Sequence, residues 1–309
     1  MRNTKLTGGL VGFVALLFSF NALADAHEEE RGAISDVWVF AVKRGMEEEF
    51  DTAMKEHIAV RKEMGEPRTW YGYRAEVGHH PGLIMYRSTP MSYADHDAYL
   101  GSDMGAIGEA FNENIDPLVD HYHHYIDSYD WKNSHWPEGK ATEGPLFTEV
   151  LRKWKPGGGY ASNKARERMS QIALNDGWAE KGYEWLWVNR TGGKPMQAIV
   201  FPSANYADMA PTGDDFGAWL SEQVGEEEAN KIFEGWLSGF SDVTVTIWRF
   251  DPQPKRTKKS RRLFSVSPRV GSILPDMRFR NWGSLATTWR CGQCSSSVTT
   301  HGSSRHSRP

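Results

Sequence analysis

Several residue types are missing from most of this 309-residue chain. The two cysteines, Cys291 and Cys294, both lie near the C-terminal end, so no intrachain disulfide supports the residues before them. Residues 146–252 contain no histidine. The chain has no G-x-S-x-G motif, and the glycine run 157–159 is not followed by the Lys-Ser/Thr of a phosphate-binding loop. We therefore expect neither a serine nucleophile of that kind nor a P-loop.

Long apolar runs are scarce, and the clearest one lies at the N-terminus. Leu10–Phe20 follows the basic residues Arg2 and Lys5 and precedes small residues. This order is typical of a secretory signal peptide, and the run is too short to span a bilayer comfortably. We predict export, to the periplasm in a cell with two membranes, with cleavage after Ala24 or Ala26. An uncleaved anchor is the alternative.

Charge is distributed unequally along the chain. Residues 255–309 carry twelve Lys and Arg against one acid, Asp276, whereas the whole chain has a net charge of −4. This tail is rich in Ser, Arg and Gly without periodicity, which predicts disorder. A translated frame-shift is an alternative origin. The spacing of the two cysteines with His301 and His306 does not fit common zinc fingers, so we expect no metal there.

The body of the chain, residues 36–252, contains an internal repeat. The segment 69–78 matches 183–192, and each ends at a glycine and precedes an apolar strand. The tripeptide Tyr-Ala-Asp follows at 93–95 and at 206–208. Matches that recur in the same order indicate a duplicated structural unit.

Each half of the body has the pattern strand, helix, strand, strand, helix, strand. This is the ferredoxin-like unit, so we predict an α+β fold in which two tandem βαββαβ units, 25–138 and 139–254, pair into one α/β barrel. The predicted strands are 37–42, 69–77, 82–88 and 121–129 in the first half and 146–154, 183–190, 196–202 and 242–250 in the second. The predicted helical regions are 46–64, 92–119, 160–175 and 214–238.

In element order and duplication, residues 36–252 resemble the dimeric α/β-barrel superfamily in its tandem, single-chain form. That superfamily includes antibiotic-biosynthesis-type monooxygenases, NIPSNAP-like proteins, and the haem-binding chlorite dismutases and dye-decolourising peroxidases. The resemblance implies the fold. In the chlorite dismutase group the haem-ligating histidine comes from the second unit. This chain has no histidine between 146 and 252, so we expect no haem and no other cofactor.

Strand periodicity predicts which side chains face the barrel interior. In the last strand, the aliphatic residues Val243, Val245 and Ile247 are expected to pack on helices, which leaves Trp248 and Phe250 inside. Tyr122, His124, Leu186 and Val188 are likewise expected on the helix side. The same alternation gives the candidate ligand-binding residues of the inner face, which are His121, His123, Tyr125, Asp127, Tyr71, Tyr73, Trp185, Trp187 and Asn189.

Histidines on this inner face suggest two further chemistries. His121, His123 and Asp127 are metal-ligand types, but side chains two apart on a strand start about 6–7 Å from each other and need a third ligand from elsewhere. We therefore predict no metal site. Either histidine also suits a general base in cofactor-free oxidation of a phenol, with Asn189 or Trp187 positioning the substrate.

Together these features predict an exported barrel that binds a small apolar or aromatic molecule in an aromatic, His-containing cavity. One alternative is a cofactor-independent, monooxygenase-like enzyme acting on a small aromatic substrate. The other is a structural protein whose barrel is filled by its own side chains. We expect no nucleic-acid partner and no transmembrane segment, and the sequence assigns no catalytic residue. Homo-oligomerisation stays open.

Removal of residues 255–309 should leave the melting temperature within about 2 °C of that of the full chain, because a segment without an apolar pattern adds little packing. Differential scanning calorimetry of the two proteins measures this. A large drop would show that the tail packs on the body.

Overall fold

The computed structural model of the protein describes residues 31–102, 105–137 and 145–251. The predicted signal peptide and the basic tail with both cysteines lie outside these residues. In the part of the chain that is described, no helix combines the length and the apolar character needed to cross a bilayer.

Eight antiparallel strands form the centre of the structure. They close into one barrel, and numbered along the chain they follow one another around it in the order 1, 3, 2, 8, 5, 7, 6, 4. The strands are β1 (Ile34–Val42), β2 (Trp70–Gly78), β3 (Ile84–Ser88), β4 (Val119–Tyr129), β5 (Leu146–Trp154), β6 (Leu186–Thr191), β7 (Met196–Ser203) and β8 (Phe240–Asp251).

Helices follow the first and third strands of each half. They are α1 (Glu47–Glu63), α2 (Tyr93–Leu100) and α3 (Gly105–Asn114) in the first half, and α4 (Gly159–Asn175), α5 (Phe216–Val224) and α6 (Glu226–Leu237) in the second. This is the predicted order of elements. The predicted α+β barrel of two ferredoxin-like halves is thereby confirmed.

Two strand pairs join the halves. β2 pairs with β8, with Tyr73 opposite Phe250, and β4 pairs with β6, with Asp127 opposite Arg190. The remaining neighbours in the barrel all belong to the same half. The two seams therefore decide whether the sheet closes, and side chains at these positions bring both halves together.

Helix α1 shows how the helices cover the outer face of the sheet. Glu47, Glu48 and Glu49 lie in its first turn, where acidic side chains interact favourably with the helix dipole. The helix buries Phe50 against Phe40 of β1, with ring centroids 5.2 Å apart. Outer-face contacts of this kind leave the opposite face of the same strands for the barrel interior.

The interior is filled largely by apolar side chains. Small barrels are closed in this way because their inward residues meet across the axis. Tyr71, Leu83, Tyr125, Leu151, Val200 and Phe250 are partly buried and pack against the inner cluster. The buried members of that cluster are Val37, Val39, Tyr73, Ala75, Met85, Tyr129, Trp131, Trp136, Phe147, Leu186, Val188, Ala198 and Trp248.

Residues 25–138 expressed alone should self-associate or fail to fold. Without the second half, β2 and β4 each lose a strand partner. The inward rings of Tyr71 and Tyr73 also lose their neighbour Phe250 and become exposed. Size-exclusion chromatography with light scattering tests this. A stable, soluble monomer of the fragment would contradict the shared barrel.

Candidate functional site

A buried ion cluster crosses the barrel interior at the seam between β4 and β6. Arg190 donates from Nε to Asp127 Oδ1 at 2.9 Å and from Nη2 to Asp127 Oδ2 at 3.1 Å. The same Nη2 donates to Glu149 Oε1 on β5 at 2.9 Å. All three side chains are buried. One guanidinium therefore joins three strands and both halves of the barrel.

Trp248 of β8 completes this ion cluster. Its indole Nε1 donates to Glu149 Oε2 at 3.0 Å, so each carboxylate oxygen of Asp127 and Glu149 accepts a hydrogen bond. Burial by itself lowers the pKa of Arg190, but the charges of Asp127 and Glu149 outweigh it and hold this pKa above its ordinary value. The guanidinium stays charged, and the three ionic groups sum to −1.

Arg87 is a second cation on the inner face, and it lies outside this cluster. It stands on β3 opposite Val37 and Tyr71. Its Nε and Nη2 are buried and have no hydrogen-bond partner within the described chain. The guanidinium carbon lies 5.3 Å from the ring centroid of Tyr129, a cation–π distance. Arginine keeps its proton in proteins, so a positive charge with two unused donor atoms points into the barrel.

Arg87 and the ion cluster border a common cavity of about 30 Å³. Because one water needs roughly 10–15 Å³ of such accessible space, the cavity has room for about two waters. An aromatic ring does not fit unless the surrounding side chains move. The lining residues are Tyr73, Met85, Arg87, Asp127, Phe147, Glu149, Val188, Arg190, Val200 and Trp248.

Four of the predicted site residues do face the interior. Tyr73 and Asp127 line the cavity. Tyr71 and Tyr125 pack against the inner cluster, and Tyr125 stacks below Arg190, whose guanidinium carbon is 4.8 Å from its ring centroid. Burial raises the pKa of the Tyr125 hydroxyl. Whether these residues bind a ligand stays a prediction.

The prediction that His121 and His123 line the cavity is wrong. Both side chains are exposed, and neither is among the lining residues. They stand on the same strand face as Tyr125, with ring centroids of His121 and His123 5.5 Å apart. β4 is paired with β6 only from Ile126 onwards, so its first half extends past the covered part of the barrel. The strand face was predicted correctly, but the depth along the strand was not.

The sequence prediction also misplaced Trp185, Trp187 and Asn189. The strand β6 has the opposite face inward from the one predicted, which is equivalent to a shift of one residue. Trp187 faces α4, where its indole Nε1 donates to Ser170 Oγ at 3.0 Å. Asn189 accepts from Gln197, which also bonds Asn163 of α4.

Leu186 and Val188, predicted to face the helices, lie in the inner cluster. Trp185 packs outside the barrel against His135, with ring centroids 5.4 Å apart. The aliphatic face of β6 points inward because this small interior is filled by packed side chains. Assigning aliphatic residues to the helix side therefore fails here.

Of the other residues predicted to pack against the helices on the outer face, only some are buried there. Ile247 is buried, but Val243 and Val245 are 49% and 36% exposed. Tyr122 packs on Phe111 of α3 at 5.4 Å between ring centroids. His124 stacks on the outward ring of Trp38, yet its side chain is 45% exposed and is not covered by a helix.

Sequence reasoning missed Arg87, Glu149 and Arg190. Each stands two residues after an inward apolar residue, namely Met85, Phe147 and Val188. Strand alternation therefore places these charges on the inner face.

His124 belongs to a separate ionic network on the outer face of β1 and β4. Its Nε2 bonds Asp36, and Arg68 donates from Nη1 to the other Asp36 oxygen at 3.0 Å. Burial works to raise the pKa of Asp36, but the His124 bond and the charge of Arg68 outweigh it and hold that pKa below its ordinary value. This network holds the strands together on the outer face and does not reach the cavity.

His57 is a structural histidine on α1. It is 4% exposed, and its Nε2 accepts a hydrogen bond from Arg61 Nε at 2.9 Å. Burial, with a contribution from the Arg61 charge, lowers the pKa of His57 to about 4. The imidazole therefore stays neutral near pH 7.

The described residues offer no grouped metal ligands, and the second half offers no histidine that could ligate a haem. Across the described residues, no three His, Cys, Asp or Glu side chains are grouped so that they could hold a metal ion. The second half offers no histidine at 146–252. Its helix–sheet layer is filled around Trp187, whose ring contacts Trp236 at 5.7 Å and the guanidinium of Arg166 at 5.2 Å.

Replacing Arg190 with Met should lower the free energy of unfolding by about 3–5 kcal/mol, because two buried carboxylates lose their counter-charge. Urea denaturation at pH 7 measures the loss.

A triple variant with Arg190→Met, Asp127→Leu and Glu149→Gln is the matched control. It removes the charges together and keeps an acceptor for Trp248, so it should recover most of the stability. An Arg190→Met protein as stable as the wild type would contradict the role of the cluster.

No family model matches the sequence, and no curated protein sequence matches it. Solved structures do resemble the fold. An anthrone oxidase-like protein matches with 10% identity and a TM-score of 0.45, over 72% of this chain and 93% of that one. A mutant chlorite dismutase from Candidatus Nitrospira defluvii matches with 10% identity and a TM-score of 0.43, over 73% and 95%.

A haem-binding protein from Thermus thermophilus matches with 10% identity and a TM-score of 0.39, over 72% of this chain and 92% of that one. Similarity this low concerns the fold alone and carries no activity over to this chain.

Proposed function

We propose that this protein binds a small molecule inside the barrel, with Arg87 as its anchor. The observation that carries the proposal is the pair of buried Arg87 nitrogens without a hydrogen-bond partner at the edge of a cavity. Buried polar groups in folded proteins are nearly always hydrogen-bonded, because leaving one unpaired costs about 1–3 kcal/mol. A ligand that accepts hydrogen bonds from Arg87 removes this cost.

The walls and the volume of the cavity restrict the chemistry and the size of the ligand. Its walls combine aromatic and aliphatic groups, such as Phe147 and Val200, with a few charged groups, which is the usual composition of small-molecule sites. At about 30 Å³ it admits a ligand of few atoms. The expected aromatic ligand would require movement of side chains such as Tyr125, which is only partly buried.

Binding is better supported than cofactor-independent oxidation. A general base must reach the proton it removes. The cavity carboxylates of Asp127 and Glu149 are engaged by Arg190, and His121 and His123 are not lining residues. The third alternative, a filled structural barrel, agrees with the small volume but leaves two buried Arg87 nitrogens without a hydrogen-bond partner in the described chain.

The predicted signal peptide bears on where the ligand is encountered. Leu10–Phe20 with its basic N-terminal flank supports export, so we propose a periplasmic or secreted binding protein. Immunoblotting of cell fractions tests this part independently of binding. Retention of the full-length chain in the cytoplasm would contradict it.

Replacing Arg87 with Met should remove the bound molecule without harming the empty barrel. Met fills a similar volume without a buried charge, so the ligand-free stability should stay equal or rise by up to roughly 2 kcal/mol. Native mass spectrometry of protein purified from its host should show a bound mass in the wild type and none in the variant.

Arg249→Met is the matched control for this comparison. Arg249 lies on the outer surface, where it pairs with Glu76 and its side chain is 44% exposed. This variant should keep the bound mass. If the wild type carries no ligand and no compound in a thermal-shift screen raises its melting temperature, the barrel is filled and the proposal is wrong.

A further inference from the structure

We infer that the interior ligand is a small, weakly hydrated monovalent anion of at most about four heavy atoms that pairs with Arg87. This inference rests on the proposed function and specifies its ligand. Halide, nitrate and formate share the required chemistry, although a halide is a single atom.

Hydrogen-bonding capacity around the cavity decides the polarity of the ligand. The four carboxylate oxygens of Asp127 and Glu149 already accept hydrogen bonds from Arg190 and Trp248. Of the described lining residues, only Arg87 has buried side-chain nitrogens without a partner. What the site lacks is therefore an acceptor, and an ionised acceptor forms the stronger hydrogen bond with a guanidinium.

Charge decides the valence. No carboxylate in the described chain forms an ion pair with Arg87, and its charge is met only by the ring of Tyr129. A single negative charge balances this guanidinium. A second negative charge on the ligand would find no further unpaired cation among the lining residues, because Arg190 is already paired with Asp127 and Glu149.

The volume of the cavity limits the size of the anion, and its apolar walls limit how much water the anion can keep. The cavity of about 30 Å³ holds roughly what two waters occupy. Phe147, Val188 and Val200 offer no hydrogen bonds from their side chains, so an ion that keeps its hydration shell is disfavoured there. Sulfate is excluded by both charge and hydration, whereas nitrate and formate are planar and lose water more readily.

Isothermal titration calorimetry tests the inference with sodium nitrate, sodium formate and sodium bromide, each against sodium sulfate. Ionic strength is held constant with sodium gluconate, whose anion is too large for the cavity. The wild type should bind one monovalent anion per chain, and sulfate should give no saturable heat. Arg87→Gln should weaken binding by at least about tenfold, because the charge is lost.

Two further variants control for surface charge and for misfolding. Arg249→Gln removes one exposed positive charge and should bind as the wild type does. Arg87→Lys keeps the charge with fewer donors and should retain weakened binding at the same stoichiometry, which keeps the test open if Arg87→Gln does not fold. Crystals grown in bromide should show an anomalous peak beside Arg87.

The outcomes separate this inference from the function on which it rests. Anion binding that survives in Arg87→Gln, or that is equally strong for sulfate, would overturn the inference. A neutral organic molecule in the native protein, with no anion binding, would also overturn it while leaving the proposed function intact. If neither an anion nor an organic molecule binds, both are wrong.

Discussion

The rest of the structure depends on one buried guanidinium. Arg190 is shared by Asp127 and Glu149, and through Glu149 it is linked to Trp248, so one hydrogen-bonded cluster connects strands β4, β5, β6 and β8. Burying these ions is costly unless each is paired, and pairing requires the sheet to be closed. Closure of the barrel and satisfaction of its charges are therefore one event, which makes the two halves interdependent.

Most of the fold followed from the sequence alone. Strand and helix periodicities are local, and the repeat supplied each assignment twice, so β5 was predicted as 146–154 and lies at Leu146–Trp154. The closed strand order then followed from duplication of the ferredoxin-like unit. The sequence did not show where β4 stops pairing with β6. Because β6 is short, the part of β4 that carries His121 and His123 lies beyond this pairing, and both side chains are exposed.

The candidate site was predicted only in part, and the reason is physical. Tyr73 and Asp127 were placed on the inner face, where both line the cavity, and Asp127 obtained its face from the alignment of β4 with β8. On β6, each face carries a large apolar residue, Leu186 on one and Trp187 on the other, and a one-residue shift exchanges the faces. The deciding information is tertiary, since Trp187 finds its hydrogen-bond partner on α4 and Arg190 finds its own across the seam.

The pairing registers of the strands also show a pseudo-twofold relation between the two halves of the barrel. The charged residues of the interior do not follow this symmetry. Asp127 faces Arg190 at one seam, and the equivalent pair at the other seam is Trp248 facing Ala75. By the same relation, Arg87 corresponds to Val200 on the opposite wall of the cavity. A dimer of identical chains would have to place every inward charge twice. Joining the halves in one chain allows a single, asymmetric set of charges in the interior.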